Sequence, residues 1–160
     1  MFTCIERTAM LSARVGKLVD LRRSERAQRK VAMVIFNFPP NSGNTGTAAY
    51  LAVFESLFNT MVEMKAQGYS VDLPESVDAL RDGILYGNAK QYGADANVHT
   101  LIPAEQHIRR EKWLSEIEAQ WGPAPGKHLT NGQSIFVMGQ QYGNLLVAVQ
   151  PSFGYEGDPM

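Results

Sequence analysis

Apolar residues form two kinds of pattern along the chain. Short apolar runs occupy positions 31–36, 135–138 and 145–149. Runs of this length, bounded by Gly, Pro and Asn, predict buried strands, and the last two predict a hairpin or two sheet strands joined by a tight loop. A weak alternation at 69–73 predicts a further strand, and the short stretch 98–101 predicts either a short strand or an extended lead-in to the next helix.

Apolar residues at helical spacing separate these runs. One helix is predicted to follow the loop at 39–47 and to end at Gly68, a second opens at Ser76 and ends at Gly87, and a third begins at Pro103. Strands that alternate with helices predict an α/β fold. We therefore expect a largely parallel sheet flanked by helices, of the Rossmann-like or flavodoxin-like type.

The first thirty residues differ from the rest in charge. They hold eight of the fifteen Lys and Arg residues, while Leu11, Val15 and Leu18 repeat at helical spacing. This pattern predicts an amphipathic basic helix that ends near Ser24. A narrow apolar stripe favours packing against a neighbouring part of a larger protein over binding a membrane or nucleic acid. We expect two units, a basic helix at 1–30 and an α/β domain at 31–160 that is incomplete at its C-terminus.

Composition narrows the class of protein. The 160 residues are 44% hydrophobic with a net charge of −1, which is typical of one folded domain and argues against a dedicated nucleic-acid binder. No transmembrane segment or signal peptide is predicted. Cys4 is the single cysteine, so neither an internal disulfide nor a thiolate metal site is expected. These features predict a soluble, cytoplasmic protein.

A loop rich in small polar residues follows the first predicted strand. Gly43 and Gly46 allow close backbone approach to a ligand, and the N-terminus of the next helix suits a phosphate or carboxylate. A crossover turn with a helix cap explains the same residues, and the loop matches neither a Walker nor a GxGxxG motif. A flavodoxin-like loop for the phosphate of FMN is a further interpretation. The candidate ligand-binding residues here are Asn41, Gly43, Asn44, Thr45, Gly46 and Thr47.

The C-terminal tail combines aromatic and acidic residues with glycines. Phe153 and Tyr155 offer flat aromatic faces, and Glu156 and Asp158 offer oxygen ligands or a base. Carboxylates of this kind suit a hard, hydrated cation and can also accept a proton. A simple turn with a surface glutamate is the alternative.

The histidines and the middle of the chain give weaker signals. His99 and His107 lack a convincing metal-ligand spacing, and the turn-rich stretch 88–97 predicts no site. His128, beside Lys127, either reaches an anionic ligand or is a loop histidine.

Two long segments carry a family resemblance. FNFPPNSGNTGTAAYLAVFESL and MGQQYGNLLVAVQPSFGYEGDPM, in this order and spacing, resemble the large, porphyrin-binding subunit of magnesium chelatase, in the family shared with the cobaltochelatase large subunit. The resemblance covers essentially the whole chain. Family members are several times longer and carry a His/Gly-rich segment downstream of Met160, so we expect an internal fragment.

The resemblance implies a function in (bacterio)chlorophyll biosynthesis. It implies Mg²⁺ and protoporphyrin IX as substrates, AAA+ partner subunits that use ATP, and Glu156 and Asp158 as catalytic or metal-binding candidates. We expect the loop at 39–47 and the tail to converge at the carboxyl ends of the strands. The chain alone is expected to bind porphyrin weakly and not to insert metal. An FMN-binding module and a non-catalytic scaffold domain remain as alternatives.

Overall fold

The computed structural model describes residues 4–37 and 52–151, which form a four-stranded sheet and six α-helices. In chain order the elements are α1 (Ile5–Arg23), β1 (Val31–Ile35), α2 (Val53–Ala66), α3 (Val77–Leu85), α4 (Ala89–Tyr92), β2 (Val98–Pro103), α5 (Ala104–Arg110), α6 (Leu114–Trp121), β3 (Ser134–Tyr142) and β4 (Leu145–Val149). The α/β class predicted from the sequence is confirmed.

The sheet is mixed, which corrects the prediction of a largely parallel sheet. Its strand order is β1-β4-β3-β2, and only the β1–β4 pair is parallel within the described residues. The reason lies in the turn between β3 and β4. Gly143 and Asn144 alone join these strands, and a two-residue connection permits only antiparallel pairing. Gly143 has a φ of 63°, and a Cβ there would lie 2.7 Å from the carbonyl oxygen of Ser70.

The core lies between one face of the sheet and helices α2 and α3. Alternate residues of β4, namely Leu145, Val147 and Val149, are buried on this face. Met61 of α2 and the α3 residues Leu80 and Ile84 are fully buried against them. Burial of each such side chain contributes about 1.5–3 kcal/mol.

On β1 the same alternation leaves the opposite face open to solvent. Val34 is 65% exposed and Phe36 is 52% exposed, whereas Ile35 between them is buried. This strand stands at one end of the strand order and has β4 as its single neighbour within the described part of the chain.

Two predicted elements differ from the structure. Residues 69–73 belong to no strand of the described sheet, because the carbonyl of Ser70 accepts a hydrogen bond from the backbone N–H of the turn residue Asn144 and not from a strand. The helix predicted from Pro103 is two helices. Glu111 takes an extended conformation between them, and its carboxylate accepts a hydrogen bond from the backbone N–H of Trp113.

Helix α1 has no buried residue, and its apolar side chains, including Leu11, Val15 and Leu18, are exposed. The segment after it is tied to the α/β body, since Arg26 donates to the carbonyl of Gln67 and the side chain of Asn144 donates to the carbonyl of Ala27. The division of the chain at residue 30 stays a prediction.

Candidate functional site

The carboxyl ends of β1 and β4 lie side by side. The two strands pair in parallel from Val31 opposite Leu145 to Ile35 opposite Val149, and the backbone N–H of Gln150 donates to the carbonyl of Ile35 over 2.9 Å. Ligands of α/β proteins bind at the carboxyl ends of parallel strands. The one parallel pair among the described strands therefore marks the edge where a site is expected.

Both candidate segments follow directly from these two strand ends. The residues singled out from the sequence lie outside the described residues; they are Asn41, Gly43, Asn44, Thr45, Gly46, Thr47, Phe153, Tyr155, Glu156 and Asp158. The strands that lead into the two segments, β1 and β4, are neighbours in the sheet. Segments that start from opposite edges of the sheet would have refuted the predicted convergence. The convergence itself stays a prediction.

Asn37 is a polar residue at this edge that the sequence analysis did not single out. Its side chain is 2% exposed, two residues beyond the end of β1. The sequence does contain a signal for its burial. Asn37 continues the series of inward-facing residues Val31, Met33 and Ile35 at alternate positions.

Strand β3 continues past the last residue pair that it forms with β4. Its second half pairs with β4 up to Gly139 opposite Ala148, and its first half pairs with β2, from Met138 opposite Val98. Residues 134–138 of β3 and all of β2 therefore lie beyond the last residue pair of β3 and β4, Gly139 opposite Ala148. We call this two-stranded projection the β2–β3 arm.

Gly139 is where β3 changes partner. Its φ is 144°, and a Cβ there would lie 2.3 Å from the carbonyl oxygen of Val147. Asn97, which is 6% exposed, holds the junction: its side-chain amide donates to the carbonyl of Gly139 (2.6 Å) and to the Gln140 side chain (2.8 Å). The Asn97 side-chain oxygen accepts from the backbone N–H of Asn88 (3.0 Å).

A cavity of about 230 Å³ lies against the arm. Phe136 of β3 is one of its walls, and the ring of Tyr92 contacts Phe136 edge-on with centroids 5.5 Å apart. The cavity is also lined by Asp95, Lys127 and His128. Lys127 and His128 are candidates for contact with an anionic ligand from the sequence, whereas Asp95 lies in the stretch 88–97, for which the sequence predicts no site.

The loop that carries Lys127 and His128 is held in place by the next residue. Leu129 has a φ of 51°, its side chain packs against the core, and its carbonyl accepts a 2.7 Å hydrogen bond from the backbone N–H of Phe136. A positive φ is uncommon for a branched residue. Leu129 therefore sets Lys127 and His128 at the rim of the cavity.

At the opposite end of β3, burial raises the pKa of the Tyr142 phenol above its usual value of 10.0. Tyr142 pairs with Leu145 at the start of β4 and so lies away from the carboxyl ends. Its neutral phenol is part of the packing and not of the candidate site.

Metal ligands do not cluster in the described part of the chain. Within residues 4–37 and 52–151 no group of three or more His, Cys, Asp or Glu side chains could hold a metal ion. In the same residues no helix is both long enough and apolar enough to cross a membrane.

Known proteins resemble this chain over its whole length. The family model described as CobN/Magnesium Chelatase matches residues 1–160. The magnesium-chelatase H protein of Rhodobacter capsulatus is 53% identical over 161 residues, covering all of this chain and 14% of the relative. The corresponding H protein of Cereibacter sphaeroides is 51% identical over 160 residues, and the match covers all of this chain and 13% of that protein.

The cobalt branch of the family is more distant. The aerobic cobaltochelatase protein CobN of Pseudomonas aeruginosa is 26% identical over 96% of this chain and 13% of its own length. Among solved structures, the catalytic subunit of cobaltochelatase from Mycobacterium tuberculosis has a similar fold, with a TM-score of 0.63 at 22% identity over 87% of this chain and 12% of that one.

This chain spans only 13–14% of the length of the bacterial H proteins it matches. The match nevertheless runs from its first residue to its last. The chain belongs to the CobN/magnesium chelatase family.

Proposed function

We propose that this chain is a segment of the porphyrin-binding subunit of a magnesium chelatase, which inserts Mg²⁺ into protoporphyrin IX in (bacterio)chlorophyll biosynthesis. The observation that carries the proposal is the 53% and 51% identity to two magnesium-chelatase H proteins over the full chain. Identity to the cobaltochelatase relative is half as great, at 26%. This contrast favours Mg²⁺ over Co²⁺ as the metal substrate.

The geometry supports a site at the carboxyl ends of β1 and β4. The segments at 38–51 and 152–160 start from neighbouring strand ends joined by the hydrogen bond between Gln150 and Ile35. In this proposal Asn41, Gly43, Asn44, Thr45, Gly46 and Thr47 bind the tetrapyrrole from one segment, and Phe153 and Tyr155 from the other.

Glu156 and Asp158 supply the acid–base chemistry in this proposal. Mg²⁺ prefers oxygen ligands and keeps several of its waters, so carboxylates suit its delivery to the ring. A carboxylate also accepts a pyrrole proton as the metal enters. ATP is used by AAA+ partner subunits and not by this chain, and the complex works in the cytoplasm.

A segment exchange tests the proposal in a full-length enzyme. The matched segment of the R. capsulatus H protein is replaced by this chain, and Mg²⁺ insertion is followed by porphyrin fluorescence with the partner subunits and ATP. We expect the hybrid to keep activity within about tenfold of the parent, equivalent to about 1.4 kcal/mol in the barrier. A hybrid that carries the CobN segment of P. aeruginosa is the matched control, and we expect it to lose far more.

A folded hybrid without Mg²⁺ insertion would contradict the proposal. The 160-residue chain alone, mixed with the same partners, is expected to bind porphyrin weakly and to insert no metal. Insertion by the chain alone at the rate of the hybrid would overturn that part of the proposal.

A further inference from the structure

We propose that the cavity beside the β2–β3 arm binds one carboxylate side chain of the tetrapyrrole, through Lys127 and His128. This inference rests on the proposed function and extends it to a subsite. Protoporphyrin IX carries two carboxyethyl side chains on one edge of the ring, so a protein that binds it must solvate, pair or exclude two negative charges.

Volume sets the kind of ligand that the cavity accepts. At about 230 Å³ it is smaller than the roughly 300–1,000 Å³ typical of pockets that enclose a whole organic ligand. A macrocycle does not fit, but a single carboxyethyl arm does. Phe136 and Tyr92 form part of the wall, and most of the remaining lining is polar, which suits a carboxylate more than the macrocycle itself.

The strand register brings the cavity to the same end of the sheet as the candidate site. Phe136 lies three residues before Gly139, which pairs with Ala148 next to the end of β4. At about 3.3 Å per residue, the cavity wall stands about 10 Å beyond that pair, in the direction in which β1 and β4 leave the sheet. A flat ring held at the strand ends can reach this distance with a flexible side chain.

The charges at the rim give the subsite its chemistry. Lys127 offers an ammonium group, and His128 offers a ring N–H in either protonation state. The hydroxyl of Thr130, which also lines the cavity, is already used: it donates to the carbonyl of Ser134 and accepts from the N–H of Gly132. Recognition of the carboxylate therefore falls to Lys127 and His128.

Asp95 carries the opposite charge in the same cavity. Its carboxylate repels an incoming carboxylate, which limits affinity and favours release of the product. Substitution of the basic residues and substitution of Asp95 should therefore change the affinity for the porphyrin in opposite directions. Removing Lys127 and His128 should weaken binding of a porphyrin diacid, whereas Asp95→Asn should strengthen it.

The experiment measures porphyrin affinity in the full-length R. capsulatus hybrid that carries this chain. Two probes are compared in the same detergent, protoporphyrin IX and its dimethyl ester, with quenching of tryptophan fluorescence as the signal. The variants are Lys127→Gln with His128→Gln, and Asp95→Asn. Lys112→Gln, an exposed lysine between α5 and α6, is the matched control.

We expect the double variant to lose about tenfold in affinity for the diacid, which corresponds to about 1.4 kcal/mol, because one ammonium group and one ring N–H donor near the surface are removed. Its affinity for the dimethyl ester should not change. Asp95→Asn should gain about threefold for the diacid alone, and Lys112→Gln should match the parent for both probes.

Unchanged affinity of the double variant for the diacid would overturn the subsite while leaving the proposed function intact. An equal loss for both probes would also overturn it, because the side chains would then act on the protein and not on the carboxylate. If Lys127 and His128 instead bind a carboxylate of a partner subunit, the double variant will leave the porphyrin affinity unchanged, and this result also overturns the subsite. A parent hybrid that binds neither probe would refute the proposed function together with the subsite.

Discussion

The side-chain amide of Asn97 donates a 2.6 Å hydrogen bond to the carbonyl of Gly139, and the N–H of Gly139 returns a 2.8 Å bond to the carbonyl of Asn97. Both residues lie where β3 leaves β4 and begins to pair with β2. This reciprocal pair therefore joins the body of the sheet to the β2–β3 arm. The position of the arm beside the candidate site depends on it.

Replacement of Asn97 by Ala should destabilise the chain by about 2–4 kcal/mol, because it removes the side-chain amide and so deprives the Gly139 carbonyl and the backbone N–H of Asn88 of a buried hydrogen-bond partner. The free energy of unfolding in urea measures the loss. Asn59→Ala, at an exposed position of α2, is the control and should stay within about 0.5 kcal/mol of the parent. Equal stability of the two variants would show that the Asn97 network does not hold the junction.

Gly139→Ala and Gly16→Ala should change stability in opposite directions. At Gly139 a Cβ would lie 2.3 Å and 2.7 Å from backbone atoms of Val147 and Ala148, so the strands must separate, at a cost of about 3 kcal/mol or more. At Gly16, within α1, nothing lies within 4 Å, and Ala should stabilise the helix by about 0.5–1 kcal/mol. Thermal unfolding followed by circular dichroism measures both, and a stable Gly139→Ala variant would contradict the close strand approach at this glycine.

Tyr142 should make the chain sensitive to alkaline pH. Burial raises its pKa in the folded state above the unfolded value, so the neutral phenol is favoured by folding. The resulting contribution to the free energy of unfolding is fully present below about pH 10, which is the pKa of tyrosine in the unfolded chain. It is lost as the pH rises through the pKa of the folded state. Unfolding midpoints measured from pH 8 to 11 should fall less steeply for Tyr142→Phe than for the parent. Identical slopes would mean that Tyr142 does not titrate with unfolding.

Replacing Glu156 by Gln and Asp158 by Asn should separate a catalytic tail from a scaffold. In the full-length hybrid we expect each variant to lose at least about a hundredfold in Mg²⁺ insertion, the range of general acid–base contributions, with porphyrin affinity much less affected. Glu116→Gln, on the exposed face of α6, is the control and should retain parental rates. Full activity of both tail variants would favour the non-catalytic scaffold.

Local patterns predicted most of the individual elements. The apolar run at 31–36 became β1, the runs at 135–138 and 145–149 became parts of a hairpin, and Ser76 caps α3 by accepting from the N–H of Ala79. Each of these signals is contained within a few residues. Short-range chemistry is sufficient to decide them.

The sheet order and the cavity depend on partners far apart in sequence. The segment at 69–73 has the alternation of a strand, but Ser70 pairs with the turn at Asn144, which no local pattern reveals. Asp95 and His128 likewise line the same cavity although they lie far apart in the sequence. Alternation along β1 did contain the signal for Asn37, since an amide in an inward-facing register must be buried.

The exposed face of β1 has a consequence for handling the chain by itself. Val34 and Phe36 present apolar side chains to solvent on one face of this strand. Exposed apolar surface promotes association between copies at high concentration. We therefore expect the isolated chain to self-associate as its concentration rises, and Val34→Lys is the natural change to make it tractable.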